Sequence, residues 1–157
     1  AAEPFGTFVE NALQKARHAA RLTGLPALAD DSGVCVNALG GAPGVYSARY
    51  AGEPKSDARN NEKLIQDLAS HADRSAYYYC VLVYVRHADD PQPVIADGIW
   101  RGRIVDAPRG ANGFGYDPYF LIPELGKTTA ELEPSEKNAI SHRGQAIRAL
   151  VEKLTLK

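Results

Sequence analysis

Three segments of the chain carry apolar residues at the three- and four-residue spacing of an amphipathic helix. The first begins after Thr7, where Thr7 and Glu10 have the spacing of a capping box, and it should end near Gly24. The other two helices are predicted at residues 57–69 and 143–154. The residues expected to face a core are Val9, Leu13, Ala16 and Ala20 in the first helix, Leu64, Ile65 and Leu68 in the second, and Ile147, Leu150, Val151 and Leu154 in the third.

Apolar runs and alternating patterns predict the strands. Residues 77–87 form the strongest candidate, and a polar, proline-containing turn leads from them into residues 94–105, which predicts a long antiparallel hairpin. Shorter strands are expected at residues 25–29, which read as buried, and at 34–36 and 119–122. This mixture of helices and long strands predicts one α/β domain over residues 1–157, with a mixed sheet flanked by helices.

The composition of the chain indicates a globular domain and excludes some classes of partner. The chain of 157 residues is 45% apolar and 24% charged with a formal net charge of −1, which is typical of a globular domain and argues against a nucleic-acid polymer as partner. No apolar run approaches the length that spans a bilayer, so we expect no membrane partner. Cys35 and Cys80 lie in apolar runs without zinc spacing; buried reduced thiols are favoured over a disulfide between them.

An acidic motif, Asp30-Asp31-Ser32-Gly33, follows the first predicted strand. Successive side chains of a strand point to opposite faces, so one aspartate should face a pocket while the other bonds loop N–H groups. An ordinary Asx turn is the alternative. Glu3 is a second candidate carboxylate; at ~4 Å and a dielectric constant of about 20, its repulsion with Asp31 is about 4 kcal/mol, which a Mg²⁺ ion shared with substrate phosphates would relieve. The alternative for Glu3 is a solvated terminal residue.

A glycine-flanked aromatic residue marks the segment 113–118, Gly-Phe-Gly-Tyr-Asp-Pro. With glycine on both sides, the ring of Phe114 has little neighbouring bulk to cover it, and a base stacked on it would gain roughly 1–3 kcal/mol. A tight turn whose aromatic residues fold into the core is the alternative. We favour a binding role.

The final helix begins with Ser141-His142-Arg143, where Ser141 is a plausible N-cap. Cations are unfavourable at a helix N-terminus, so His142 and Arg143 there require an anionic or carbonyl partner. Surface charge on an amphipathic helix is the alternative for these two residues and for Lys137, which precedes them. Lys15, on the polar face of the first helix, indicates less by itself. The segment 40–49, which begins with the glycine-rich residues 40–44, lacks the Lys-Ser/Thr ending of a P-loop and is predicted to be a structural or dimer-contact loop.

Five ordered motifs together resemble the inosine triphosphate pyrophosphatase family, most closely its bacterial branch, over nearly the whole chain. They are Thr-Phe-Val-Glu-Asn-Ala at 7–12, Ala-Asp-Asp-Ser-Gly at 29–33, Ala-Leu-Gly-Gly-Ala-Pro-Gly at 38–44, Phe-Gly-Tyr-Asp-Pro at 114–118 and Ser-His-Arg-Gly at 141–144. The resemblance implies a cytoplasmic homodimer that uses Mg²⁺ to hydrolyse ITP, dITP and XTP to the monophosphate and pyrophosphate.

The same resemblance implies roles for individual residues. Asp31 matches the catalytic base and metal ligand, and Glu3 matches a second carboxylate on the metal. Ser32, Lys15 and Lys137 match contacts to phosphate or substrate. The residues that match the base-binding wall are Phe114, Gly115, Tyr116, Asp117, His142 and Arg143.

One family feature has no counterpart in this chain. Members normally open with a strand and a Thr/Ser-Gly-Asn-x-x-Lys loop that grips the triphosphate, so the domain is expected to be N-terminally incomplete relative to the family. Two other functions stay open. One is a non-catalytic nucleotide-binding module, and the other is a pyrophosphohydrolase that acts on another class of nucleotide.

Overall fold

The computed structural model describes residues 3–155, and within them it has four α-helices and five β-strands. The helices are α1 (Phe8–Thr23), α2 (Asp57–Leu68), α3 (Pro134–Ile140) and α4 (His142–Thr155). The strands are β1 (Ala27–Val36), β2 (Ser75–Val85), β3 (Val94–Ile104), β4 (Phe120–Ile122) and β5 (Lys127–Thr128). Short 3₁₀ turns complete the connections.

The five strands form one sheet in the order β1-β2-β3-β4-β5, so every strand is bonded to its neighbour along the chain. The β3–β4 pair is antiparallel, with Arg103 opposite Leu121, and the β4–β5 pair is antiparallel, with Leu121 opposite Thr128. The predicted α/β class with long hairpin strands is therefore confirmed. The predicted neighbours at residues 77–87 and 94–105 are β2 and β3.

The described residues cluster into two compact units. Unit one contains the residues up to Ser32, Tyr79–Ile99 and the residues from Ser141 onward, and unit two contains Gly33–Tyr78 and Trp100–Ile140. Each of the strands β1, β2 and β3 contributes residues to both units. The interpretation as a single domain stays a prediction.

The core of unit one is built around β2, whose successive side chains point to opposite faces. The odd-numbered valines of β2 pack with the small residues of α1, while the even-numbered residues pack with α4. The first cluster contains Val81, Val83, Val85, Ala12, Ala16 and Ala20, and the second contains Cys80, Leu82, Ala96, Ala146 and Leu150. A strand covered on both faces has no polar side to solvate, which explains the continuous apolar run in its sequence.

The core of unit two is richer in aromatic residues. Tyr78 stacks on Phe120 with 4.2 Å between ring centroids, and Trp100 lies 6.3 Å from Tyr78. Aliphatic residues of β1, α2, β3, β4 and one loop complete this cluster: Val34, Val36, Leu64, Leu68, Ile104, Ile122 and Leu132. The predicted inward positions Leu64 and Leu68 of α2 are thus confirmed.

Local signals placed the ends of α1 correctly. The hydroxyl of Thr7 accepts a hydrogen bond from the Glu10 N–H at 3.3 Å, and Gly24 adopts the left-handed conformation (φ 70°) while its N–H donates to Ala20 O. The second half of the capping box differs, because the Glu10 carboxylate accepts from the Thr7 hydroxyl at 2.6 Å instead of from a backbone N–H.

One strand prediction and one helix prediction were wrong in detail. β1 is one continuous strand through the acidic motif, so the Asx-turn alternative fails, and its start is not buried because Leu28 is exposed. In α4, Ile147 and Val151 are 48% and 53% exposed, whereas Ala146 and Leu150 are buried. The apolar residues of α4 lie on two adjacent faces of the helix. The face that carries the small Ala146 packs against β2, and the face that carries Ile147 and Val151 is exposed.

The remaining composition predictions concern cysteines and membranes. Cys35 and Cys80 are free, buried thiols, as predicted, and burial raises the pKa of Cys80 to about 11. Within residues 3–155, no helix combines the length and the apolar character needed to cross a bilayer.

Candidate active site

The residues predicted to act on a substrate fall into two groups, one in each unit. The carboxylate cluster of unit one comprises Glu3, Lys15, Asp30, Asp31, Ser32 and Arg143, and His142, at the start of α4, also belongs to unit one. The aromatic loop of unit two comprises residues 113–118 together with Lys137. Each group is held by contacts within its own unit.

Asp31 is the buried member of the carboxylate cluster, at 7% exposure in the middle of β1. The ammonium of Lys15, from α1, lies 2.9 Å from Glu3 Oε1 and 3.7 Å from Asp31 Oδ1. The two carboxylates predicted to converge therefore share one cation, which reduces their mutual repulsion.

This environment makes Asp31 an unusual carboxyl group. Burial first, and then the charge of Glu3, raise its pKa to about 6, against the opposing effects of Lys15, the Asn11 side chain and the Ser32 N–H. Its Oδ2 atom is buried and accepts no hydrogen bond from the residues that the structure describes. A carboxyl group with a pKa near neutrality and a free acceptor atom suits a general base or a cation ligand.

The donor set fits one class of metal site. Among residues 3–155 there is no group of three or more His, Cys, Asp or Glu side chains that could enclose an ion. Mg²⁺ does not need such a cage, because it is usually bound by one or two carboxylates and completes its shell with water and substrate phosphates. Glu3 and the free Oδ2 atom of Asp31 match that requirement.

Asp30 and Ser32 lie on the opposite face of β1 from Asp31, as the alternation of a strand requires. Arg143 at the start of α4 donates to both of them, with 2.7 Å from Nη1 to Asp30 Oδ2 and 3.2 Å from Nη2 to Ser32 Oγ. The anionic partner expected for Arg143 is therefore Asp30. The expectation that the second aspartate bonds loop N–H groups was wrong, because Asp30 is engaged by this guanidinium.

The start of α4 is seated closely against β3. Ser141 is the predicted N-cap, and its hydroxyl accepts from the Gly144 N–H at 3.0 Å. At Gly98 of β3, a Cβ atom would lie only 2.1 Å from the His142 carbonyl oxygen, so a side chain there is incompatible with this approach. Gln145 Oε1 accepts from the Ile99 N–H at 3.3 Å. These contacts fix the backbone that carries His142 and Arg143.

The two aromatic residues of the aromatic loop differ in their exposure to solvent. Phe114 is 75% exposed, as the flanking glycines predict. Tyr116 is 6% exposed, packs in the core of unit two, and its hydroxyl donates to Ser47 O at 2.6 Å. Tyr116 therefore folds into the core, as the tight-turn alternative predicted, whereas the ring of Phe114 is uncovered, as the binding interpretation predicted. A contact of Tyr116 with a base stays a prediction.

Asp117 is a buried hub, at 3% exposure, and both of its carboxylate oxygens are engaged. Oδ1 accepts from the hydroxyls of Tyr78 (2.8 Å) and Thr129 (2.7 Å). Oδ2 accepts from the Phe114 N–H (3.0 Å) and from the ammonium of Lys137 (2.6 Å). Asp117 therefore holds the loop closed and fixes Lys137 beside it.

Lys137 also lies over the ring of Phe114, with 4.9 Å from Nζ to the ring centroid. The contact is a cation–π interaction, and the lysine remains partly exposed. A planar ring and a positive charge are thus presented side by side, which is the combination that attracts an aromatic base bearing a carbonyl or anionic group.

Sequence reasoning missed several residues that hold this loop. Tyr78 and Thr129 bind Asp117, while Asp57 and Asn61 of α2 bind the backbone of Gly115 on its N–H and C=O sides. Asp57 is 58 positions away from Gly115, so no local motif could have linked them. The available signal was that Asp57 and Asn61 are polar residues one turn apart on the same helix.

The fold and the two groups define an α/β protein with candidate catalytic carboxylates and an exposed aromatic loop. Residues 1–153 match the model of the Ham1 family, and the chain belongs to that family. The family prediction is therefore confirmed.

Relatives and solved structures agree with this assignment. A dITP/XTP pyrophosphatase from Ralstonia nicotianae is 71% identical over 159 residues, covering 99% of this chain and 79% of that protein. A dITP/XTP pyrophosphatase from Chromobacterium violaceum is 68% identical, covering 97% of this chain and 77% of that protein. The solved structure of a HAM1 protein from Coxiella burnetii superposes with a TM-score of 0.97 at 53% identity, covering 100% of this chain and 81% of that one.

Proposed function

We propose that this protein is a nucleoside-triphosphate pyrophosphatase that converts ITP, dITP and XTP to the monophosphate and pyrophosphate. The names of relatives at 68–71% identity support the activity and the substrate class. The observation that carries the proposal is the buried Asp31, whose pKa is raised to about 6 and whose Oδ2 atom accepts no hydrogen bond from residues 3–155. Removal of non-standard purines from the nucleotide pool of the cytoplasm, by a homodimer of single-domain chains, completes the proposal.

The residues of unit one act on the phosphates. Asp31 and Glu3 would hold Mg²⁺ together with phosphate oxygens, and the ion would neutralise charge on the triphosphate. Lys15 and Ser32 contact phosphate oxygens, and Lys15 stabilises the negative charge that develops during the reaction. The guanidinium of Arg143 keeps Asp30 paired, so that the second aspartate adds no free negative charge.

Asp31 acts as the general base. It takes a proton from a water molecule onto a carboxylate oxygen while the water oxygen forms a bond to the α-phosphorus. The bond between that phosphorus and the oxygen bridging to the β-phosphate breaks, and its electron pair leaves with pyrophosphate. A carboxyl group with a pKa of about 6 is a stronger base than an ordinary aspartate, yet it is still mostly ionised at neutral pH.

The residues of the aromatic loop bind the base. Phe114 stacks on it, Lys137 supplies positive charge at its edge, and Gly115, Tyr116 and Asp117 shape the loop. Buried N–H donors beside His142 and Arg143 bond the 6-keto oxygen of hypoxanthine or xanthine. Adenine carries an amino group there and leaves such donors unpaired, which can cost about 10⁴-fold or more in discrimination. Rejection of guanine must depend on its 2-amino group.

Pyrophosphate release with dITP, dGTP and dATP in the presence of Mg²⁺ tests this proposal. Asp31→Asn should lower kcat about 10²- to 10⁴-fold, since it removes the general base. The matched control is Asp89→Asn, which removes one charge at an exposed position outside the site. Near-normal turnover by Asp31→Asn would refute its role, and equal rates for the three nucleotides would refute base selectivity. Binding of dITP without pyrophosphate release would favour a non-catalytic nucleotide-binding module.

A further inference from the structure

Two side chains of α2 grip the backbone of Gly115 from both sides. Asp57 Oδ2 accepts from the Gly115 N–H at 3.0 Å, and Asn61 Nδ2 donates to the Gly115 carbonyl oxygen at 3.0 Å. The two residues are one helical turn apart and therefore lie on the same side of α2. The single backbone donor and the carbonyl acceptor of Gly115 are thus both bonded to side chains on one face of α2.

Asp57 is suited to this position because it follows the N-cap Ser56, where the helix dipole favours a carboxylate. Asn61 is buried, and its amide orientation is determined by its partner, since a carbonyl oxygen can only accept. With Nδ2 on Gly115, the Oδ1 atom of Asn61 is buried and accepts no hydrogen bond from residues 3–155. A buried acceptor left unsatisfied costs about 1–3 kcal/mol, so the amide is retained at a cost in stability.

The grip acts next to a ring that packing fixes only weakly. The Phe114 ring is so exposed that packing does little to fix it, and Gly115 has a left-handed φ of 61° in open space, where an added Cβ atom would meet nothing within 4 Å. The backbone around the ring is fixed by hydrogen bonds instead: the Asp117 carboxylate accepts from the Phe114 N–H, the Asp117 N–H donates to the Phe114 carbonyl oxygen at 3.2 Å, and the α2 pair holds Gly115. A ring held in place beforehand loses less conformational freedom when it stacks on a ligand.

We infer that Asp57 and Asn61 are positioning residues that set the Phe114 ring for the base of the substrate. The inference rests on the proposed function for the role of Phe114. The two residues act through Gly115 and do not themselves touch the nucleotide. Their loss should weaken base binding while the carboxylate chemistry of unit one is retained.

The first experiment measures the grip itself, independently of activity. Asn61→Asp places a carboxylate oxygen against the Gly115 carbonyl, and Asp57→Ala removes the acceptor for the Gly115 N–H. Amide hydrogen exchange at Gly115, followed by NMR, should become about 5- to 10-fold faster in each variant. Asp57→Asn retains an acceptor oxygen and should restore slow exchange. Glu62→Gln, an exposed change on the same helix, is the matched control.

The second experiment asks whether the grip acts through the ring. Asn61→Asp should raise KM for dITP about 10-fold with little change in kcat, because part of a stacking energy of roughly 1–3 kcal/mol is lost. In a Phe114→Ala background the same substitution should have almost no further effect on KM.

The outcomes separate the two ideas. Unchanged exchange at Gly115 in Asn61→Asp, or an equal effect of this substitution with and without the Phe114 ring, overturns the positioning role. A wild-type protein that releases no pyrophosphate from dITP overturns the proposed function, whereas faster exchange in the variants still supports the grip on the loop.

Discussion

Replacing Gly113 by alanine should destabilise the protein far more than the same replacement at Gly126. Both glycines adopt left-handed backbone conformations, with φ of 74° and 63°, so each alanine costs about 1–2 kcal/mol through backbone strain. The two positions differ in what a Cβ atom would meet. At Gly113 it would lie 2.1 Å from Asp117 Oδ2, whereas at Gly126 it would meet nothing within 4 Å.

The collision at Gly113 must displace a carboxylate that holds two donors. Asp117 Oδ2 accepts from the Phe114 N–H and from the Lys137 ammonium, and a hydrogen bond to a charged group is worth about 1.5–3 kcal/mol. Loss or distortion of both bonds should add about 3 kcal/mol. The free energy of unfolding should therefore fall by about 4–5 kcal/mol for Gly113→Ala and by about 1–2 kcal/mol for Gly126→Ala.

Urea unfolding followed by tryptophan fluorescence measures this difference. The chain has a single tryptophan, Trp100, which is buried in the aromatic core of unit two, the unit that contains both glycines. In a Lys137→Met background the penalty of Gly113→Ala should shrink, because one of the disturbed bonds is already absent. Unfolding free energies of the two alanine variants that agree within about 0.5 kcal/mol would refute the assignment of Asp117 as the hub of the loop.

Two further predictions concern unit one. Gly98→Ala should destabilise the protein by about 1–3 kcal/mol, because the new Cβ atom collides with the His142 carbonyl oxygen. Its thermal unfolding midpoint and its dITP turnover should both fall. Gly6→Ala is the control, because its Cβ atom would meet nothing within 4 Å, and both measurements should match the wild type. The Arg86 guanidinium, together with backbone N–H groups, holds the pKa of the buried Asp90 well below its usual range, so this carboxylate contributes stability above about pH 4 that is lost as the pH falls. Urea midpoints measured from pH 7 to pH 3 should therefore fall less steeply in Asp90→Asn than in the wild type, and parallel slopes would contradict the argument.

The features that sequence reasoning predicted well are those that depend on neighbours within a few residues. The N-cap at Thr7 and the left-handed Gly24 define α1, because capping and helix termination are local events. The opposite orientations of Asp30 and Asp31 followed from the two-residue period of a strand, which put the two carboxylates on different faces. That period holds for any strand partner, so the prediction needed no knowledge of the fold.

The features it missed depend on which distant surface a residue meets. Phe114 and Tyr116 have similar local surroundings, and both are flanked by Gly115, yet only Tyr116 finds an acceptor within reach, at Ser47 O, 69 positions away. A buried tyrosine needs such a partner for its hydroxyl, and phenylalanine has no hydroxyl to satisfy. The flanking glycines correctly predicted the exposed ring of Phe114, but the burial of Tyr116 depends on a tertiary partner that no local pattern shows.

The same reasoning explains how the exposed Phe114 ring can be both solvent-accessible and fixed. A core residue is fixed by packing, but an exposed ring must be fixed through the backbone that carries it. The side chains that bind the backbone of Phe114 and Gly115 are the carboxylates of Asp117 and Asp57 and the amide of Asn61, and two of these three belong to a helix more than 50 positions away in sequence. Since α2 also buries Leu64 and Leu68 in the core of unit two, the rigidity of that core is passed to the ring through Gly115. Substitutions on the polar face of α2 should therefore alter the recognition of the base before they alter the fold.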